Sequence, residues 1–80
     1  MSLEPQKRFL EGLLTRPEKI VPDLTDDLFN VVMALEEAEP GWLEATFADA
    51  RFPLANRKKL SSWLIGPSGE KIRALLSKPL

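Results

Sequence analysis

The sequence of 80 residues predicts a single all-α domain, a compact bundle of four to five short helices. Apolar residues recur at the three- and four-residue spacing of helices in successive segments. The seven prolines fall between those segments, where they bound helices and do not interrupt them. No segment has the alternating pattern or the turn signals of paired strands. We therefore expect one domain, residues 1–80, around a thin core.

The first two helices are predicted on either side of a connector that two prolines bound. The first spans 5–15 and ends before Pro17, because the residue that precedes a proline disfavours helical geometry. The second spans 24 or 25 to 38, and Asp23 or Thr25 can accept hydrogen bonds from its first amides. Its predicted buried stripe is Leu28, Val31, Val32 and Leu35, widened by Phe29 and Met33.

Three shorter helices are predicted in the second half of the chain. The third begins at Pro40, a residue that suits the first turn of a helix, and continues to 52. The fourth runs from 54 or 57 to 64, and Gly66 ends it in a left-handed conformation. The fifth spans 67 or 68 to 78. Short connections make consecutive helices neighbours in the bundle.

The composition argues against an enzyme and against a metal site. The chain contains no cysteine and no histidine, which removes the thiolate nucleophile, the most common general base and the most common zinc ligands. Two pairs of adjacent acids, Asp26-Asp27 and Glu36-Glu37, point about 100° apart on a helix and do not converge on a substrate. We therefore expect no catalytic residue, no cofactor and no metal ion.

The net charge of −1 argues against a general binder of nucleic acids or membranes. No apolar run approaches the roughly 20 residues that span a bilayer. No signal peptide opens the sequence, so a cytoplasmic location is expected.

The charges are divided unequally along the chain. Residues 20–50 carry eight acids and no base, whereas 51–80 carry seven bases and one acid. Acidic and basic helices that pack side by side would explain this division, and so would a surface that recognises a partner. We predict protein–protein interaction, by a regulator, inhibitor or accessory subunit, through the acidic second and third helices. The candidate contact residues are Asp26, Glu36, Glu37, Glu39, Trp42, Glu44 and Asp49.

Trp42 permits two interpretations. A tryptophan in a core this thin is usually part of the core. Trp42 follows a Pro-Gly break, however, and lies beside Glu39 and Glu44. A partly exposed ring with acidic neighbours would suit the docking of a basic partner.

The main alternative is nucleic-acid binding through the basic half. The string LIGPSGEKIR at 64–73 resembles the Gly-x-x-Gly loop of KH RNA-binding domains in Gly66, Gly69 and Ile72. The resemblance implies a loop that a nucleic-acid backbone can approach closely. It is confined to these residues, and the three-stranded sheet of that family is not predicted here. The candidate residues are Arg57, Lys58, Lys59, Gly66, Gly69, Lys71 and Arg73.

A second alternative is an obligate homodimer. In it, the acidic segment of one copy would meet the basic segment of the other. Such charge pairs weaken when salt screens them, so association would depend on ionic strength.

Overall fold

The computed structural model describes residues 3–77, and all regular structure within that range is helical. The five α-helices are α1 (Glu4–Thr15), α2 (Thr25–Ala38), α3 (Trp42–Phe47), α4 (Leu54–Ser61) and α5 (Pro67–Ser77). The predicted all-α bundle is therefore confirmed. Lys78, the predicted end of the fifth helix, lies outside the described residues. No helix within the described range is both long enough and apolar enough to cross a membrane.

The core is assembled from one stripe of each helix. α1 packs against α2 and α4, α2 against α3, and α5 against α3 and α4. The buried residues of α2 repeat at helical spacing, as Leu28, Val32 and Leu35 show, whereas α4 buries only Leu60 and Ser61. The largest fully buried side chains are Phe47, Leu10, Leu14, Leu28, Leu35, Leu43, Leu60 and Ile72.

The start of α2 differs from the prediction that Asp23 or Thr25 caps it. No side chain caps this helix, and the Thr25 hydroxyl instead donates a hydrogen bond to the Pro22 carbonyl over 2.9 Å. The cause is a 3₁₀ turn, Pro22–Leu24, that leads directly into α2. Because this turn is already helical, no extended residue precedes α2 to act as a cap.

Helix α3 is shorter at both ends than predicted. It begins at Trp42 because Gly41, at a φ of 93°, turns the chain in the left-handed region between Pro40 and the helix. It ends at Phe47, and the backbone amide of Arg51 then donates to the Asp49 carboxylate over 2.9 Å. Helix α4 also ends early, at Ser61, and a turn follows it.

Polar side chains from other helices reach the carboxyl ends of three helices. Such ends leave backbone carbonyls without intrahelical donors. The Asn56 side-chain amide donates to the Leu14 carbonyl in the last turn of α1 over 2.7 Å. Arg57 reaches the last carbonyl of α3, and Arg73 reaches the last carbonyl of α4. These contacts tie α4 and α5 to the rest of the bundle.

Candidate functional site

Helix α2 carries two large apolar side chains on its solvent side. Phe29 is 44% exposed and Met33 is 54% exposed. The prediction that they widen the buried stripe was wrong, because Leu28, Val32 and Leu35 already fill the contact with the bundle. Since Phe29 and Met33 are four residues apart, they lie side by side on one helix face. We call the exposed residues Asp26, Phe29, Asn30, Met33 and Glu37 the α2 outer face.

Carboxylates flank this apolar pair at both ends. Asp26 precedes Phe29 by three residues, and Glu37 follows Met33 by four, so all four share one side of the helix. Glu36, which is half-buried, borders Met33 at a spacing of three. No Lys or Arg occurs between residues 20 and 50 to offset these charges locally. The α2 outer face is therefore both apolar and acidic.

Glu39 and Trp42 lie away from this face, in contact with Lys7 of α1. The Lys7 ammonium is 2.6 Å from the Glu39 carboxylate and 5.5 Å from the centre of the Trp42 ring. Trp42 is half-buried and packs against the core. The contacts thus place Trp42 at the edge of the core, where Lys7 covers part of its ring.

The remaining two acidic candidates are also separate. The Asp49 carboxylate lies 3.5 Å from Nε of Arg51, which pairs with Glu11 over 2.9 Å as well. Glu44 lines a shallow depression with Lys71 between α3 and α5. Of the seven predicted contact residues, the structure therefore brings together Asp26, Glu36 and Glu37 on α2.

The two arginines of the nucleic-acid alternative bind backbone carbonyls. Arg57 donates from Nε to the Phe52 carbonyl over 3.0 Å and from Nη1 to the Phe47 carbonyl over 2.6 Å. Arg73 donates from Nη1 to the Ser61 and Leu64 carbonyls over 2.9 and 3.0 Å. Both guanidinium groups therefore hold helix ends in place.

Within each of α4 and α5, the basic residues of that alternative point in different directions. Lys58 and Lys59 are adjacent on α4 and point about 100° apart. On α5, Lys71 and Arg73 differ by about 200°, so they occupy opposite flanks. Lys71 lies beside Glu44 on the α3 side, whereas Arg73 turns toward the end of α4. The predicted basic residues are thus divided among several directions.

Both glycines of the Gly-x-x-Gly string serve the connection between α4 and α5. Gly66 has a φ of 86°, which confirms the predicted left-handed terminator. Gly69 is buried, and a Cβ atom there would lie 2.8 Å from the Leu64 carbonyl oxygen. Only glycine permits this close approach. Within residues 3–77 no strand accompanies the string, so the sheet of a KH domain is absent from that range.

A largely apolar pocket of about 340 Å³ lies between α3, α4 and α5. We call it the α3–α4–α5 pocket. Leu54 at its edge is 43% exposed. The exposed Lys58 follows Leu54 by one turn on α4. Lys71 lines an adjoining depression that shares Leu75 with the pocket and also contains Glu44. The lining residues are Phe47, Ala48, Ala50, Leu54, Arg57, Leu75 and Leu76.

Sequence reasoning did not identify Phe29, Met33 or Leu54 as surface residues. The available signal was their position off the main apolar stripe of each helix. Among residues 3–77, no group of three acidic side chains is arranged to hold a metal ion. No protein-family model, curated protein or solved structure matches this chain. The candidate site therefore rests on the geometry of the α2 outer face and of the α3–α4–α5 pocket.

Proposed function

We propose that this protein is a non-enzymatic protein–protein interaction module that binds a basic, partly apolar partner on the α2 outer face. The observation that carries the proposal is the exposure of Phe29 and Met33 between carboxylates. Apolar side chains supply much of the affinity in protein interfaces, and flanking charges set encounter rate and register. A regulator, an inhibitor or an accessory subunit would each use such a surface.

The α2 outer face is held in a fixed conformation by the opposite side of the helix. Leu28 and Leu35 are 1% and 0% exposed, so the inner stripe anchors α2 in the core. A surface that is ordered before binding loses less conformational entropy on association. This supports docking between preformed surfaces.

The division of the basic residues supports a protein partner over nucleic acid. Phosphate binding requires several cations that follow one backbone path. Here two guanidinium groups are bonded to carbonyls, and Lys71 lies on the flank of α5 opposite Arg73.

The test is an NMR titration of the isotopically labelled protein with three probes. These are a synthetic amphipathic helix of Leu and Lys, its Leu and Glu counterpart, and mixed-sequence single-stranded RNA. We expect the amide chemical shifts of residues 26–37 to change with the Leu–Lys peptide and to stay unchanged with the other two probes. The double variant Glu36→Lys with Glu37→Lys should bind it at least about tenfold more weakly, a loss of about 1.4 kcal/mol, with unchanged helix content.

The matched control reverses two exposed acids elsewhere, Glu18→Lys with Glu70→Lys, and should retain binding. A loss of affinity in this control as large as that in the α2 variant would mean that net charge alone attracts the peptide. The nucleic-acid alternative would replace the proposal if the protein binds RNA at physiological salt and if the double variant Lys58→Glu with Lys71→Glu abolishes that binding.

A further inference from the structure

The α3–α4–α5 pocket has the chemistry to accept an apolar group that is accompanied by negative charge. Its walls are mainly Phe, Leu and Ala side chains, and Arg57, whose guanidinium is bonded to the Phe47 and Phe52 carbonyls, forms part of one wall. Its volume of about 340 Å³ lies near the lower end of the range for binding pockets. The exposed edge of Leu54 adds apolar surface that the fold does not bury.

The same chain carries a surface of the complementary kind. On the α2 outer face, Phe29 and Met33 project beside Asp26 and Glu37. The carboxylates lie three and four residues from the apolar pair. The cations Lys58 and Lys71 lie one helical turn from Leu54 on α4 and from Leu75 on α5, so their charge is opposite to that of the α2 carboxylates.

From this complementarity we propose that the α2 outer face of one copy docks on the α3–α4–α5 pocket of a second copy. Phe29 and Met33 contact Leu54 and Leu75, and the α2 carboxylates face Lys58 and Lys71. The inference rests on the proposed function, because it uses the same α2 face and names the partner as a second copy of the chain. The contact joins two different surfaces of the chain. Two copies can therefore form a closed dimer if each docks on the other; otherwise the free surfaces bind further copies.

The first experiment is analytical ultracentrifugation of the full chain over a wide concentration range. The weight-average mass should rise with concentration above the 9.0 kDa of one chain. The rise should be smaller at high salt, because screening weakens pairs of exposed charges. A mass of one chain at every concentration and at low salt would overturn the inference.

The second experiment tests the charge pairing with two variants. One reverses the acids, Asp26→Lys with Glu37→Lys, and the other reverses the cations, Lys58→Glu with Lys71→Glu. Each variant alone should associate at least about tenfold more weakly, since like charges then face each other. Their equimolar mixture should associate again, because each surface of one variant meets an opposite charge on the other.

Controls separate this contact from changes in folding or net charge. Glu18→Lys with Lys19→Glu lies outside both surfaces and should associate as the unmodified chain does. Phe29→Ser with Met33→Ser should abolish association while circular dichroism stays unchanged, since both side chains are exposed. Association that survives this apolar variant, or that the mixture of reversed variants fails to restore, would contradict the proposed pairing.

The two proposals can fail separately. A chain that remains monomeric but binds the Leu–Lys peptide on 26–37 would retain the proposed function and lose the second copy as the partner. A chain that neither associates nor binds the peptide would lose both. Restoration of association on mixing the reversed variants would support both.

Discussion

Helices α2 and α4 are held in the same bundle by different forces. α2 spans Thr25–Ala38 and is anchored by apolar burial, with Leu28, Val32 and Leu35 inside. α4 spans Leu54–Ser61 and buries only Leu60 and Ser61. Its position depends more on hydrogen bonds that cross to other helices. α2 therefore contributes three apolar side chains to the core, whereas α4 contributes one, Leu60.

The polar contacts of α4 compensate for its small buried stripe. Asn56 and Arg57 donate to carbonyls at the ends of α1 and α3, and Arg73 of α5 donates to the end of α4. An arginine provides several donors in a fixed planar arrangement, so one side chain can serve two carbonyls. Part of the basic character of the second half thus contributes to folding, and the acidic, apolar face of α2 remains available for a partner.

The largest expected difference is between the two sides of α2. Leu35→Ala removes a fully buried side chain and should lower the free energy of unfolding by about 2–5 kcal/mol. Met33→Ala, at a position 54% exposed, should change it by less than about 0.5 kcal/mol. Urea denaturation followed by tryptophan fluorescence measures both. An equal loss in the two variants would show that the outer face contributes to the core.

A smaller effect is expected where α5 meets the chain that follows α4. Gly69→Ala would place Cβ 2.8 Å from the Leu64 carbonyl oxygen, and this overpacking should cost about 1–3 kcal/mol. Gly12→Ala meets no atom within 4 Å and should stabilise α1 by about 0.5–1 kcal/mol through helix propensity. Thermal unfolding midpoints should move in opposite directions. A shift of both unfolding midpoints in the same direction would contradict the close approach at Gly69.

The smallest expected loss concerns the hydrogen bonds around α4. Arg57→Met keeps much of the side-chain volume but removes the donors to the Phe47 and Phe52 carbonyls. We expect a loss of about 1.5 kcal/mol, toward the low end for bonds to a charged group because the site is half-exposed. The matched variant Lys58→Met should stay within about 0.5 kcal/mol of the unmodified protein. If both variants unfold alike in urea, Arg57 does not act through these carbonyls.

Most of the fold could be predicted because helix periodicity and proline placement are local properties. The bounds of α1, α2 and α5 are close to the predicted ranges, which were 5–15, 24 or 25 to 38, and 67 or 68 to 78. The predicted helix bounds were wrong where a turn replaces helix, at Pro40, after Phe47 and after Ser61. A proline or an apolar residue fits both the first turn of a helix and a non-helical turn that precedes it. Residue type therefore does not distinguish these two structures.

The candidate site was predicted only in part. The clustering of acids identified Asp26, Glu36 and Glu37, which the structure places together on α2. Glu39 and Arg57 were predicted as contact residues, yet each has a partner on another helix, whereas Asp49 pairs with Arg51 two residues further on. Charge in a sequence does not reveal whether a side chain meets solvent or a carbonyl of another helix.

An all-α chain with an acidic and a basic half could be predicted from the amino acids alone, because these properties depend on residue type and on spacings of three and four. The packing of the bundle decided that Phe29 and Met33 remain exposed and that Arg57 and Arg73 hold helix ends. Those outcomes depend on neighbours far away in sequence, such as Asn56 and Leu14, which are 42 positions apart. Burial and hydrogen bonding at such distances arise from packing the whole bundle, so no local pattern encodes them.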